Sequence, residues 1–182
     1  MSASFSTFQI TTASSILGLS EQGGYVTEWK VQDASGNWID VLYQGSELKR
    51  TGIPILFPYY GPSDYGMGQH GFGRNIVWNL INKSEEGAML EITEQSLTPE
   101  IAKLYPYQFK AQIQVQVHDH AFTYTLSVQN TGTNPLPIAP GLHPYWTLAH
   151  DRKKEVVAEH YPEILLAEIN WDKNPPDDEF AF

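Results

Sequence analysis

Two stretches rich in glycine and proline hold the side chains best suited to acid–base chemistry. Residues 50–78 read RTGIPILFPYYGPSDYGMGQHGFGRNIVW and gather six Gly, three Pro, two Arg and one His around a short apolar run. Gly71 and Gly73 flank Phe72, and His70 and Arg74 stand just outside them, so a titratable ring and a fixed cation can face one ligand. A structured turn with a hydrogen-bonded His and a surface Arg accounts for the same spacing. The second stretch, residues 135–148, reads PLPIAPGLHPYWTL and places His143 between an apolar run and Pro144-Tyr145-Trp146. Aromatic faces beside one imidazole suit a carbohydrate, since rings cover its C–H faces and nitrogen meets its oxygens. A core histidine packed among aromatics is the other reading.

The remaining candidates carry less. His118 and His120 share a strand face, yet only Asp119 lies between them and no third ligand is within reach, so an exposed turn is expected there and no metal site. Gly71-Phe72-Gly73 is too short for a dinucleotide fingerprint and has no βαβ unit around it. Asn82-Lys83-Ser84 has the form of a glycosylation acceptor, without a secretion signal that would expose it to the machinery. Asp151 to Lys154 reads as a solvated turn. With no Cys, the chain has neither a disulfide frame nor a thiolate centre, and burial alone must hold the fold.

The elements that must position these residues are short and strand-like. Apolar residues Ala111, Ile113, Val115 and Val117 alternate with Gln112, Gln114 and Gln116; Phe122, Tyr124, Leu126 and Val128 alternate with Thr123, Thr125 and Ser127. Period two with one wet face predicts an antiparallel hairpin of 111–117 with 122–128, turning at 118–121. Runs at 15–19, 25–32 and 38–43, separated by Gly23-Gly24 and Ser35-Gly36-Asn37, predict a meander. Thr98-Pro99-Glu100 predicts one short helix through about Tyr105, with Thr as cap, Pro at the first position and Glu at the positive helix end. Aromatics at 13% and charged residues at 18% of 182 residues suit a turn-rich β domain rather than disorder or coiled coil. The net charge of −10 argues against nucleic-acid or anionic-membrane partners, and no apolar run approaches a membrane span. A cytoplasmic location and a small-molecule partner are expected.

Taken together, the two stretches resemble the aldose 1-epimerase (galactose mutarotase-like) superfamily, and most closely its hexose-6-phosphate 1-epimerase branch. The resemblance rests on residues 50–61, on Gln69-His-Gly-Phe-Gly-Arg-Asn75 with Trp78, and on Gly141-Leu-His-Pro-Tyr-Trp146, with Tyr105-Pro-Tyr-Gln-Phe109 in support. It implies an all-β fold, a large antiparallel β-sandwich, and an isomerase that interconverts sugar anomers without metal or other cofactor. It further implies that His143 is the general acid toward the ring oxygen and that His70 hydrogen-bonds near that oxygen. Arg74 is implied to hold sugar or phosphate oxygens, and Arg50 to bind phosphate. The family's base is a glutamate late in a longer chain, preceded by a sugar-binding aspartate, and neither motif occurs in residues 144–182. The sandwich is therefore expected to be incomplete at its C-terminal end: residues 1–182 form the N-terminal part of one such domain, with 174–182 as a tail. A sugar or sugar-phosphate binding module without turnover is the alternative to an enzyme.

Overall fold

The period-two segments build the longest hairpin of the protein, seen here in a computed structural model that describes residues 7–45, 50–62, 66–149 and 151–152. Strand β8 (Phe109–His118) pairs antiparallel with β9 (Ala121–Asn130), and Val117 faces Phe122 while Ala111 faces Val128. Ile113 and Val115 are fully buried, whereas Gln114 and Gln116 on the opposite face are exposed. Burial of one face against water on the other is what antiparallel alternation provides. The inward residues of β9 are only half-buried, because β9 ends the sheet and has a single neighbour. That sheet runs β6 (Asn79–Lys83), β7 (Gly87–Thr93), β8, β9, all antiparallel.

A second four-stranded sheet is the expected meander. Its strands are β1 (Thr7–Thr11), β2 (Ser15–Ser20), β3 (Tyr25–Gln32) and β4 (Trp38–Asp40), in that order. Asp33 closes the β3–β4 turn, its carboxylate accepting the Ser35 and Asn37 N–H groups at 2.8 Å each. The strand expected over 38–43 is split: Val41 still donates to Trp29 O, but Leu42 bridges Trp146 and Tyr43 donates to Tyr145 O. Half of that segment thus belongs to a different neighbour, which local periodicity does not reveal. Strands β1, β6 and β7 were also outside the sequence expectation, and β6 is exposed throughout, so it carries no alternation to detect.

The two sheets form an antiparallel β-sandwich around one core. Leu17, Leu19 and Val26 come from the β1–β4 sheet, Leu90, Ile92, Ile113 and Val115 from the β6–β9 sheet, and Trp29 meets Phe122 edge-to-face at 5.0 Å. At one end the β8–β9 turn ties the sheets together: Ser14 Oγ donates to Asp119 at 3.0 Å, and His120 Nε2 donates to Gln32 O at 2.9 Å. His118 and His120 are exposed, as expected of a turn. Helix α1 (Pro99–Leu104) lies where the capping signal placed it, with Thr98 Oγ1 accepting the Ile101 N–H. No helix among the described residues is long and apolar enough to cross a membrane. Asp151 and Arg152 are exposed, while the rest of that charged cluster and the 174–182 tail lie outside the described residues.

The alternation carries a stability test. Ile113→Ala removes a fully buried side chain and should cost about 2–5 kcal/mol in urea unfolding, whereas Gln114→Ala on the wet face should change stability by less than about 0.5 kcal/mol. Equal effects would show that the two faces are not distinguished by burial.

Candidate functional site

Two very short strands bring the chemically interesting segments together. Strand β5 (Ile55–Leu56) pairs antiparallel with β10 (Gly141–Leu142), Leu56 facing Gly141 and Ile55 facing Leu142. Backbone bonds extend the contact on both sides. Ala139 donates to Pro58 O at 2.8 Å and Tyr60 to Ala139 O at 2.9 Å; His143 donates to Pro54 O at 3.0 Å and Tyr145 to Gly52 O at 2.8 Å. The ladder delivers His143 next to the segment that carries His70.

His70 itself is fixed by a turn built on one carbonyl. Phe57 O accepts the N–H groups of Phe72 and Gly73, each at 2.8 Å, while the Phe57 ring packs against Phe72, Trp78 and Phe109. Gly71 has φ +65°, and a Cβ there would lie 2.3 Å from Phe57 O, so only glycine lets the turn close onto that carbonyl. His70 shares the left-handed conformation, with φ +73°. For a residue with a Cβ this is a strained backbone, costing of order 1–3 kcal/mol, and such strain clusters at functional sites. The His70 Nδ1 is hydrogen-bonded to Tyr60 O. Because a carbonyl only accepts, that nitrogen carries the hydrogen.

The imidazoles of His70 and His143 meet nearly perpendicular, with ring centroids 5.8 Å apart, and the Tyr145 ring lies 4.8 Å from that of His143. His143 Nδ1 is buried without a hydrogen-bond partner among the described residues. Burial lowers the His143 pKa below the usual imidazole value, with His70 and Arg74 adding to the shift and its own backbone opposing it. Burial likewise lowers that of His70, opposed by the bond to Tyr60 and reinforced by Arg74. Arg74, half-buried in the 3-10 turn Gly73–Asn75, is thus the fixed cation acting on both rings. Two imidazoles this close to each other and to a guanidinium resist being charged together.

The structure therefore brings His70, His143 and Arg74 to one place, across segments far apart in sequence. Arg50 stands exposed two residues before Gly52, whose carbonyl accepts from Tyr145. Sequence reasoning missed Tyr25. Its phenol is buried and pushed up to about 12 by desolvation, with Arg74 opposing and Tyr145 reinforcing, so it stays protonated near neutrality. The available signal was Gly23: a Cβ at that position would lie 2.5 Å from both the Tyr25 ring and Arg74 O, so glycine permits the tyrosine to pack against the arginine turn. A proton donor, a proton acceptor and a fixed cation converging beside aromatic rings can exchange protons with a polyhydroxylated ligand while holding an anionic substituent.

Comparison with known proteins gives the same direction. A stretch of 94 residues is 32% identical to the Salmonella typhimurium protein named "Putative glucose-6-phosphate 1-epimerase", covering 48% of this chain and 32% of that one. The fold superposes on a galactose mutarotase related enzyme from Lactobacillus acidophilus with TM-score 0.69 at 21% identity, over 81% of this chain and 51% of the other. A galactose mutarotase-like protein from Lactobacillus casei gives TM-score 0.69 at 22% identity, over 79% and 51% respectively. The chain thus spans about half the length of these solved structures, and the matched stretch about a third of the curated relative. The family model described as Aldose 1-epimerase matches residues 7–173, and the chain belongs to the aldose 1-epimerase family.

Proposed function

We propose that this chain forms the N-terminal part of a 1-epimerase domain that interconverts the α and β anomers of a hexose or, preferentially, a hexose 6-phosphate. The observation that carries this reading is the approach of His70 and His143 to 5.8 Å beside Arg74. Anomer exchange needs a proton delivered to the ring oxygen and another removed from the anomeric hydroxyl. The C1–O5 bond then breaks, C1 becomes a carbonyl, rotation about C1–C2 exposes its other face, and reclosure returns both protons. His143 supplies the proton to the ring oxygen, and His70 hydrogen-bonds close to the same oxygen. Arg74 holds sugar or phosphate oxygens, and Arg50 adds charge-assisted bonds to a phosphate. None of these steps transfers electrons. A domain that binds the sugar without turning it over is the second reading, since two rings and a cation brought together can hold a ligand without exchanging its protons.

Exchange spectroscopy on the anomers of glucose 6-phosphate separates the two. Acceleration over buffer, reduced ~10²- to 10⁴-fold by His143→Ala, is expected for a positioned proton donor; binding without acceleration would favour the binding module. Arg50→Ala should weaken glucose 6-phosphate by roughly tenfold or more while leaving glucose nearly unaffected, since the lost bond is to a charged group. Equal losses for the two ligands would remove Arg50 from phosphate recognition.

A further inference from the structure

We propose that Tyr25 is a ligand-binding residue of this site: its phenol O–H donates to an oxygen of the anionic substituent that Arg74 holds, and so sets the preference for a phosphorylated over a free sugar. The proposal rests on the sugar-phosphate reading above and adds to it a recognition residue that neither histidine segment contains. Placement comes first. Tyr25 opens β3, and the chain just ahead of it is pinned to the chain that follows the Arg74 turn: Gln22 bridges Val77, Gly23 donates to Ile76 O at 2.7 Å, and Trp78 donates to Glu21 O at 2.8 Å. A Cβ on Gly23 would lie 2.5 Å from Arg74 O and equally close to the edge of the Tyr25 ring, so the ring and the arginine backbone are no farther apart than twice that distance. On the other side, Val26 O accepts from Ile53 at 2.8 Å and Gly52 packs against the same carbonyl, which brings the segment begun by Arg50 to this strand end. Tyr145, whose N–H is bonded to Gly52 O, is near enough to the phenol to act on its charge. Tyr25 therefore stands where the segments of Arg50, Arg74 and Tyr145 meet.

The second observation is chemical. Tyr25 is 1% exposed, yet its hydroxyl donates to no acceptor among the described residues. A buried donor without a partner is costly, and native interiors rarely leave one. Ser20, its cross-strand neighbour, uses its own hydroxyl to accept from Gln22. Nor does any carboxylate among the described residues pair with Arg74. Burial keeps the phenol protonated far above neutrality, so what it offers a ligand there is a hydrogen. A donor and a cation side by side, without an acid between them, are matched by an oxyanion, and phosphate oxygens take charge-assisted bonds from both. The hydroxyl of a free sugar would satisfy the phenol but leave the cation without a counter-charge.

Tyr25→Phe tests the assignment, since it keeps the ring and removes only the O–H. Binding of glucose 6-phosphate and of glucose to wild type and variant is followed by ligand-observed NMR. Glucose 6-phosphate should weaken roughly 10- to 100-fold, the range for a hydrogen bond to a charged group, while glucose changes by less than about threefold. Equal losses for the two ligands overturn the proposal. The unliganded protein supplies the control for a purely structural role. If the hydroxyl is reserved for a ligand, the urea midpoint of Tyr25→Phe stays level or rises, because an unpaired buried donor has been removed. A lowered midpoint means that the hydroxyl serves the fold, and the proposal fails. Binding rather than turnover is the readout, so the result holds whether or not the protein exchanges anomers. A wild type that prefers glucose 6-phosphate, with a variant that binds it equally well, overturns Tyr25 alone and leaves the sugar-phosphate reading standing. A wild type that binds glucose as tightly as glucose 6-phosphate overturns that reading, and the role of Tyr25 falls with it.

Discussion

The site depends on a few backbone hydrogen bonds between residues 52–60 and residues 139–145. The β5–β10 contact is only two residues long on each side, yet its flanking bonds carry Gly52, Pro54, Pro58 and Tyr60 alongside Ala139, His143 and Tyr145. Remove that ladder and His143 has no reason to lie near His70. Such a short pairing has little stability of its own, and it is held because Ile55 and Phe57 on one side of it are fully buried in the shared core. The sandwich interior thus sets the position of two polar rings at its rim.

The same arrangement explains the electrostatics. Each imidazole is withdrawn from water, each is close to the other, and both feel Arg74, so burial and charge favour the neutral ring while their backbone partners oppose them. Tyr25 adds a phenol that stays protonated because burial outweighs the opposing pull of the same cation. A site of this kind offers a ligand hydrogen-bond donors and acceptors with one permanent positive charge. That combination is suited to a sugar carrying an anionic substituent.

Much of this was legible in the sequence where the signal is local. The Gln-rich alternation of β8, the Thr98-Pro99 start of α1 and the glycine-flanked His70–Arg74 segment each express their structure within about ten residues. Strands β5 and β10 were not legible, since two residues cannot display a period, and their partners are set by the tertiary fold. The division of 38–43 between β3 and the 145–147 segment escaped for the same reason. Tyr25 was hidden differently: it reads as an ordinary apolar strand residue until the chain folds and puts Arg74 beside Gly23.

The ladder also orders the assembly of the molecule in time. All four strands of the β6–β9 sheet lie in sequence between β5 and β10, and loop-closure entropy opposes a contact that encloses so much chain until the intervening segments have folded. The β8–β9 hairpin and the β1–β4 meander join sequence neighbours and can form early. Loop-closure entropy sets the pairing of β5 with β10 after them, and on a ribosome it cannot begin before residue 142 has emerged. His70 and His143 are therefore strangers through most of folding, and a chain interrupted late in synthesis holds a nearly complete pair of sheets with no site between its two histidine segments.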